Sequence, residues 1–256
     1  MFSFFHRTAA LHVDAFTSNR AAYEVTPIVN SYKAMPKWMN EVPKTTQKYG
    51  YNHLGNIVNA SRRSIRTCPG FIDLYRKGFI LETWADFVVD VRSDKFSYHF
   101  TNGPEPAIFP PDVDILPGFE RHFIMKLGSP WMIKTEERIP FIALGTEWSL
   151  EHIDAKIIPG SITFKEHNAT NVFLVFKRPE PGNEYQLKIP IGEPLQQFVP
   201  LTERKVKVHT HLVSPEEMQR MIIPGKTSVH GWRKIASLVR RNENRSKMKC
   251  PFTSSE

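Results

Sequence analysis

The sharpest chemical spacing in this chain is His152-Ile153-Asp154. On a strand, positions i and i+2 face the same side, so this imidazole and this carboxylate would share a face and hold one metal ion between them. His209 follows Asp154 by 55 residues, and Arg220 follows His209 by eleven. A His-x-Asp pair, a distant His and then a basic residue suit oxygenation by Fe(II) and 2-oxoglutarate. Two imidazoles and a carboxylate leave open positions on the iron, and an arginine takes the cosubstrate carboxylate as a bidentate pair. On that layout His152, Asp154 and His209 are the metal ligands and Arg220 the cosubstrate contact. Glu151 beside the pair favours a solvated turn instead, and Arg220 falls in a predicted helix, not on a strand.

Other candidates carry less. His209-Thr210-His211 puts two imidazoles on one strand face, half of a cupin-type metal site. Yet Lys205, Lys207, His209 and His211 recur at period two, as a single solvated face would. Asp112-Val113-Asp114, in a proline-rich stretch, offers two oxygen ligands for a cation. Asn168-Ala169-Thr170 matches the N-glycosylation triplet and, without a secretion signal, is read as idle. The net charge of +8 is concentrated at the C-terminal end. From Trp232 to Glu256, Arg233, Lys234, Arg240, Arg241, Arg245, Lys247 and Lys249 stand against Glu243 and Glu256. A basic helix there, with Arg233, Lys234, Arg240, Arg241 and Arg245 foremost, would contact phosphates or an acidic protein surface.

The elements that must position these residues are mostly strands. Leu11–Thr17 alternates apolar and polar residues, and Tyr23–Ile28 reads as another short strand. Leu54–Thr67 is predicted as a helix ended by Pro69-Gly70. From Phe71 onward β-branched and aromatic runs follow one another: Phe79–Ala85, Phe87–Arg92, Lys95–Phe100, His122–Leu127, Trp131–Lys134, Pro140–Leu144, Ser161–Lys165, Asn171–Lys177, Tyr185–Ile189, Pro194–Val199 and Lys205–His211. The Gly192-Glu193-Pro194 turn is predicted to join two of these as neighbours in one sheet. Ser214-Pro215-Glu216-Glu217 is a helix start, with Ser at the N-cap, Pro at N1 and Glu at N3. A second helix is expected at Trp232–Asn242.

Composition supports that picture. A chain of 256 residues with 41% hydrophobic and 12% aromatic content can bury one large core, and twenty prolines favour short elements over long helices. Cys68 and Cys250 make no disulfide framework or metal set. The opening MFSFFHRTAALHVDAF lacks the leader and cleavage site of a signal peptide, and no apolar run approaches a membrane span. A soluble protein without membrane contact is expected. The predicted architecture is all-β, a jelly roll or related β-sandwich. Residues 1–70 are an N-terminal arm packed on the core, 71–213 the sandwich, and 214–256 two short C-terminal helices with a basic tail.

The span from about Cys68 to Val206 resembles an uncharacterised family, a domain of unknown function of bacteria and phages. The resemblance is carried by Cys68-Pro-Gly, Gly78-Phe-Ile, Trp84-Ala-Asp86, Trp131-Met-Ile-Lys-Thr135 and, most specifically, Ile191-Gly-Glu-Pro-Leu-Gln-Gln-Phe-Val-Pro200. Met35-Pro-Lys-Trp38 is similar to the phage members. The resemblance implies a β-rich domain and a phage origin and brings no assigned activity. The expectation is therefore a non-enzymatic phage-type protein acting through contacts with other proteins, including copies of itself, as a virion or accessory component, in the host cytoplasm or the virion. No cofactor is expected on that view. Fe(II)/2-oxoglutarate oxygenation is the alternative, and nucleic-acid backbone binding through the basic C-terminal helix a weaker one.

Overall fold

The computed structural model describes residues 9–36, 38–51, 53–103, 107–109, 120–146 and 155–221. His152, Asp154, Asp112, Asp114 and the basic residues Arg233, Lys234, Arg240, Arg241 and Arg245 lie outside the described residues, as does the helix expected at Trp232–Asn242. The described residues are mostly β, with few helices, and their strands form several sheets that do not close into a barrel.

In chain order the described elements are β1 (Leu11–Thr17), α1 (Arg20–Val25), β2 (Val29–Asn30), α2 (Trp38–Glu41), β3 (Thr45–Tyr51), β4 (Ile57–Arg63), α3 (Pro69–Arg76), β5 (Phe79–Glu82), β6 (Asp86–Arg92), β7 (Phe96–Thr101), β8 (Ala107–Phe109) and β9 (His122–Lys134). They continue with β10 (Pro140–Gly145), β11 (Ala155–Ile157), β12 (Gly160–Thr163), β13 (Ala169–Lys177), β14 (Glu184–Ile189), β15 (Pro194–Pro200), β16 (Val206–Leu212) and α4 (Pro215–Met221). One sheet has the order β11-β13-β9-β1-β16, with β8 also on β9; a second runs β12-β10-β15-β5-β2; a third runs β14-β6-β7. Among the described strands, β3 and β4 pair only with each other.

The three larger sheets feed one hydrophobic cluster. Leu11, Val13 and Ala15 of β1, Phe79 and Leu81 of β5, and Phe87, Val89 and Val91 of β6 all belong to it. The aromatic wealth of the sequence is spent here. Phe79, Phe141, Phe164 and Phe198 pack with ring centroids 5.0–5.9 Å apart. Phe96 stands edge-on to Phe123 and Phe176. Offset and edge-on pairs of this kind add about 0.5–1.5 kcal/mol each beyond the area they bury.

Three local expectations change. Tyr23–Ile28 opens in helix: Asn19 caps α1 by accepting from the Ala22 N–H at 2.9 Å, and this cap with Ala21 and Ala22 outweighs the β-like pattern. Much of the predicted helix over Leu54–Thr67 is strand β4, because Ile57–Arg63 finds a full antiparallel partner in β3, with Tyr51 opposite Ile57 and Thr45 opposite Arg63. Pairing has overridden helix propensity. Pro69 starts α3 at its first turn where the sequence suggested a stop, since a proline at N1 loses no helical hydrogen bond.

β1, in the segment predicted as an arm, is an interior strand between β9 and β16. It lies parallel to β16, with Leu11 opposite Val206 and Thr17 opposite Leu212. Arg204 secures its entry, donating through Nε to the Ala9 carbonyl (2.6 Å), through Nη2 to the Ala10 carbonyl (2.8 Å) and through Nη1 to Glu137 Oε2 (2.5 Å). That last bond lowers the Glu137 pKa below the ordinary carboxylate value.

The segment Ile191–Pro200 has a structural explanation. Leu195 and Phe198 are buried in the core. Gln197, 1% exposed, donates to the carbonyls of Leu74 (2.8 Å) and Lys77 (3.1 Å) at the end of α3, where helical partners run out. Gly78, between α3 and β5, has φ +78°, and a Cβ there would lie 1.8 Å from the Phe198 carbonyl oxygen. No other residue type fits that approach.

Candidate functional site

Parallel pairing of β1 with β16 puts residues from the two ends of the chain on one outer sheet face. Leu11, Val13, Ala15 and Thr17 turn inward, so His12, Asp14 and Phe16 turn outward, where they meet His209 and His211. His12 Nδ1 and His209 Nε2 are 2.9 Å apart, with the rings parallel to within 2° and centroids at 5.2 Å. One ring must donate and the other accept. One step along, His211 Nε2 lies 2.9 Å from Asp14 Oδ1, and its ring stacks on Phe16 at 4.7 Å.

Among the described residues His209 meets a His/Asp pair that its spacing did not suggest, while the pair it did suggest, His152 and Asp154, lies outside them. The pair it meets is in His12-Val13-Asp14, a second His-x-Asp at strand spacing whose signal was present in the sequence and was missed. Nothing local to residues 12–14 announces a neighbour 197 positions away. Arg220 sits exposed in the last turn of α4. Among the described residues, no three His, Cys, Asp or Glu side chains are arranged to hold a metal ion. The facing His12 and His209 nitrogens are hydrogen-bonded to each other at a solvent-exposed surface.

A second constellation lies where the chain changes sheets. β5 and β15 pair in one sheet, β6 and β14 in another, so the antiparallel pair crosses from sheet to sheet as a unit. Thr83, fully buried, staples this corner. Its N–H donates to the Glu193 carbonyl (2.8 Å) and its carbonyl accepts from the Gly192 N–H (2.8 Å). Its hydroxyl donates to the Pro190 carbonyl (2.5 Å) and accepts from the Glu193 N–H (2.9 Å). Asp86 Oδ1 accepts from the Ile191 N–H at 2.7 Å, and this bond lowers the Asp86 pKa. The Gly192 turn, predicted to join neighbours within a sheet, is therefore the hinge between two sheets, and its φ of +85° suits glycine. Beside it, burial and the nearby Glu193 charge raise the Glu82 pKa to about 7. A carboxyl titrating near neutrality can give or take a proton under ordinary conditions.

The sheet edges differ in how they are protected. β2, β11 and β12 are only two to four residues long. β14 carries Glu184 and Lys188, and β16 carries Lys207. β7 is the exception: Phe96-Ser-Tyr-His-Phe-Thr101 has six residues and no Lys, Arg, Asp, Glu or Pro. Phe96 and Phe100 pack on the core, while Ser97, Tyr98 and His99 are exposed. Against protein-family models, curated proteins and solved structures, the chain finds no match. Among the described residues no helix is long and apolar enough to cross a membrane.

Proposed function

We propose that this chain is a non-enzymatic β-sandwich protein, of jelly-roll or related type, that works through protein–protein contacts, the first of them with further copies of itself. The observation that carries the reading is β7. A long, uncharged edge strand presents a row of unpaired backbone N–H and C=O groups, which natural edges normally blunt with charge, proline or brevity. The other described edges of the larger sheets are blunted in those ways, and β7 is not. Strand addition at such an edge draws affinity from main-chain hydrogen bonds and specificity from exposed side chains, here Tyr98 and His99. The resemblance of Cys68–Val206 to an uncharacterised bacterial and phage family belongs to the same proposal and suggests a virion or accessory component, acting in the virion or the host cytoplasm.

Light scattering coupled to size exclusion, from micromolar to near-millimolar protein, tests the reading. Self-association is expected, and Tyr98→Lys, which charges the edge at a residue 41% exposed, is expected to abolish it without lowering the melting temperature. A wild-type chain that stays monomeric throughout, or a Tyr98→Lys variant that associates as wild type does, would overturn it.

A further inference from the structure

The strands β3 and β4 form a two-stranded ribbon that pairs with no other described strand. Its described side chains (Thr45, Thr46, Gln47, Ile57, Ser61, Arg62 and Arg63) are all exposed, so both faces are open at those positions. An isolated hairpin is only marginally stable in water, so an ordered ribbon with open faces is suited to being covered by a partner. The sequence states what kind. From Val42 to Ile72 there is no Asp or Glu, while Lys44, Lys48, Arg62, Arg63 and Arg66 fall within that span. Arg62 and Arg63 are adjacent on a strand and therefore project to opposite faces. Leu54, in the connecting turn, is 71% exposed, and Ile57 is 68% exposed.

The root of the ribbon is held and is itself basic. Arg66 Nη1 donates to the Asn40 carbonyl (3.1 Å) and the Val42 carbonyl (3.2 Å), and the Ser64 N–H donates to the Lys44 carbonyl (2.9 Å). These bonds tie the chain entering the ribbon to the chain leaving it. Beside them opens a cleft of about 500 Å³, with Tyr32, Lys33, Asn40, Arg66 and Arg76 among its walls and no carboxylate lining it. Positive charge therefore continues from the ribbon into the cleft.

We propose that this ribbon and the cleft at its root bind the phosphate backbone of duplex nucleic acid. A major groove about 12 Å wide admits a two-stranded ribbon, and strands of this length reach about 23 Å, enough to bring cations to phosphates on both sides. The polar groups at most of the ribbon's described positions favour this partner over a protein. Thr45, Thr46, Gln47 and Ser61 are groups that donate to phosphate and base edges, whereas a protein interface of this shape wants an apolar centre. The exposed Leu54 is placed as the apolar tips of architectural proteins are, to lean against a base step. The site is formed by the N-terminal third of the sequence and uses neither the basic C-terminal residues nor the β7 edge.

The experiment is fluorescence anisotropy of a labelled mixed-sequence DNA duplex with the full chain, between 50 and 200 mM KCl. Contact with four phosphates gives a slope of log affinity against log salt of about −3.6, and losing two of them brings it to about −1.8. Arg62→Gln with Arg63→Gln, both at exposed positions, is expected to produce that drop and to weaken binding at least tenfold at the lowest salt, with the melting temperature unchanged. Arg240→Gln with Arg241→Gln serves as the comparison in the C-terminal segment. Binding that survives R62Q/R63Q and is lost in R240Q/R241Q overturns the assignment, as does absence of binding at 50 mM salt. Polyglutamate that competes as effectively as unlabelled duplex at equal charge would show an acidic-protein site instead.

Discussion

Replacing Thr83 by Val tests the corner between the sheets most directly. The two side chains have nearly the same shape, so the change removes the hydroxyl and little else. What is lost is a bond donated to the Pro190 carbonyl at 2.5 Å and one accepted from the Glu193 N–H at 2.9 Å. The Glu193 N–H then keeps only a long turn contact to the Pro190 carbonyl at 3.4 Å. Each buried hydrogen bond is worth about 0.5–1.5 kcal/mol net, and a buried donor left nearly unpaired costs about 1–3 kcal/mol. The added methyl returns part of this, so the expected loss is about 2 kcal/mol, or about 4–8 °C in a chain of this size. Thr83→Ser keeps the hydroxyl and gives up one methyl, costing about 1 kcal/mol. Urea unfolding of the three proteins, with matched m-values, reads these differences. If Val matches wild type while Ser is the less stable, the methyl matters and the hydroxyl does not, and the stapled corner is refuted.

Glu82 sets a pH dependence. Its folded pKa of about 7 lies above the ordinary glutamate value of 4.5, so its contribution is fully present below the unfolded value and is lost as pH rises through 7. At 1.36 kcal/mol per unit the ceiling is about 3 kcal/mol; solvent screening at this partly exposed group reduces it to about 1–2 kcal/mol. Glu82→Gln should remove that part of the fall in stability between pH 5 and 8, as followed by urea midpoints; an unchanged profile would count against it. Gly78→Ala should prevent accumulation of folded protein, because its Cβ would sit 1.8 Å from a backbone oxygen. Gly192→Ala meets open space and should cost only the left-handed backbone penalty, about 1–2 kcal/mol, by thermal melting. Ser214→Ala removes half of a reciprocal cap, in which Ser214 Oγ accepts from the Glu217 N–H (3.2 Å) and Glu217 Oε2 accepts from the Ser214 N–H (3.0 Å). Faster amide exchange across α4 should report its loss of about 1 kcal/mol.

Local chemistry was legible in the sequence. The alternating run Leu11–Thr17 is β1 residue for residue, the strands after Phe79 lie close to where β-branched and aromatic runs placed them, and the Ser214-Pro-Glu-Glu start is α4 with its reciprocal cap. Period-two alternation and capping are properties of neighbouring residues, so a linear reading captures them. Partnership is a different quantity. That β1 lies parallel to β16 and joins His12 and Asp14 to His209 and His211 follows from closing a loop of 197 residues, which no local pattern encodes. Ile57–Arg63 became a strand because β3 was there to receive it, against a helical pattern in the same residues. The Gly192 turn was legible as a turn, but whether it folds a strand back on its neighbour or carries it into another sheet was decided by Thr83, more than a hundred residues earlier. The sequence by itself determined β1, most of the strands after Phe79 and which of their faces would be wet. Which strands meet, and so which side chains stand within 3 Å of one another, was settled only by burial of one shared core, because the energy that selects a partner is spread over the whole packed interior.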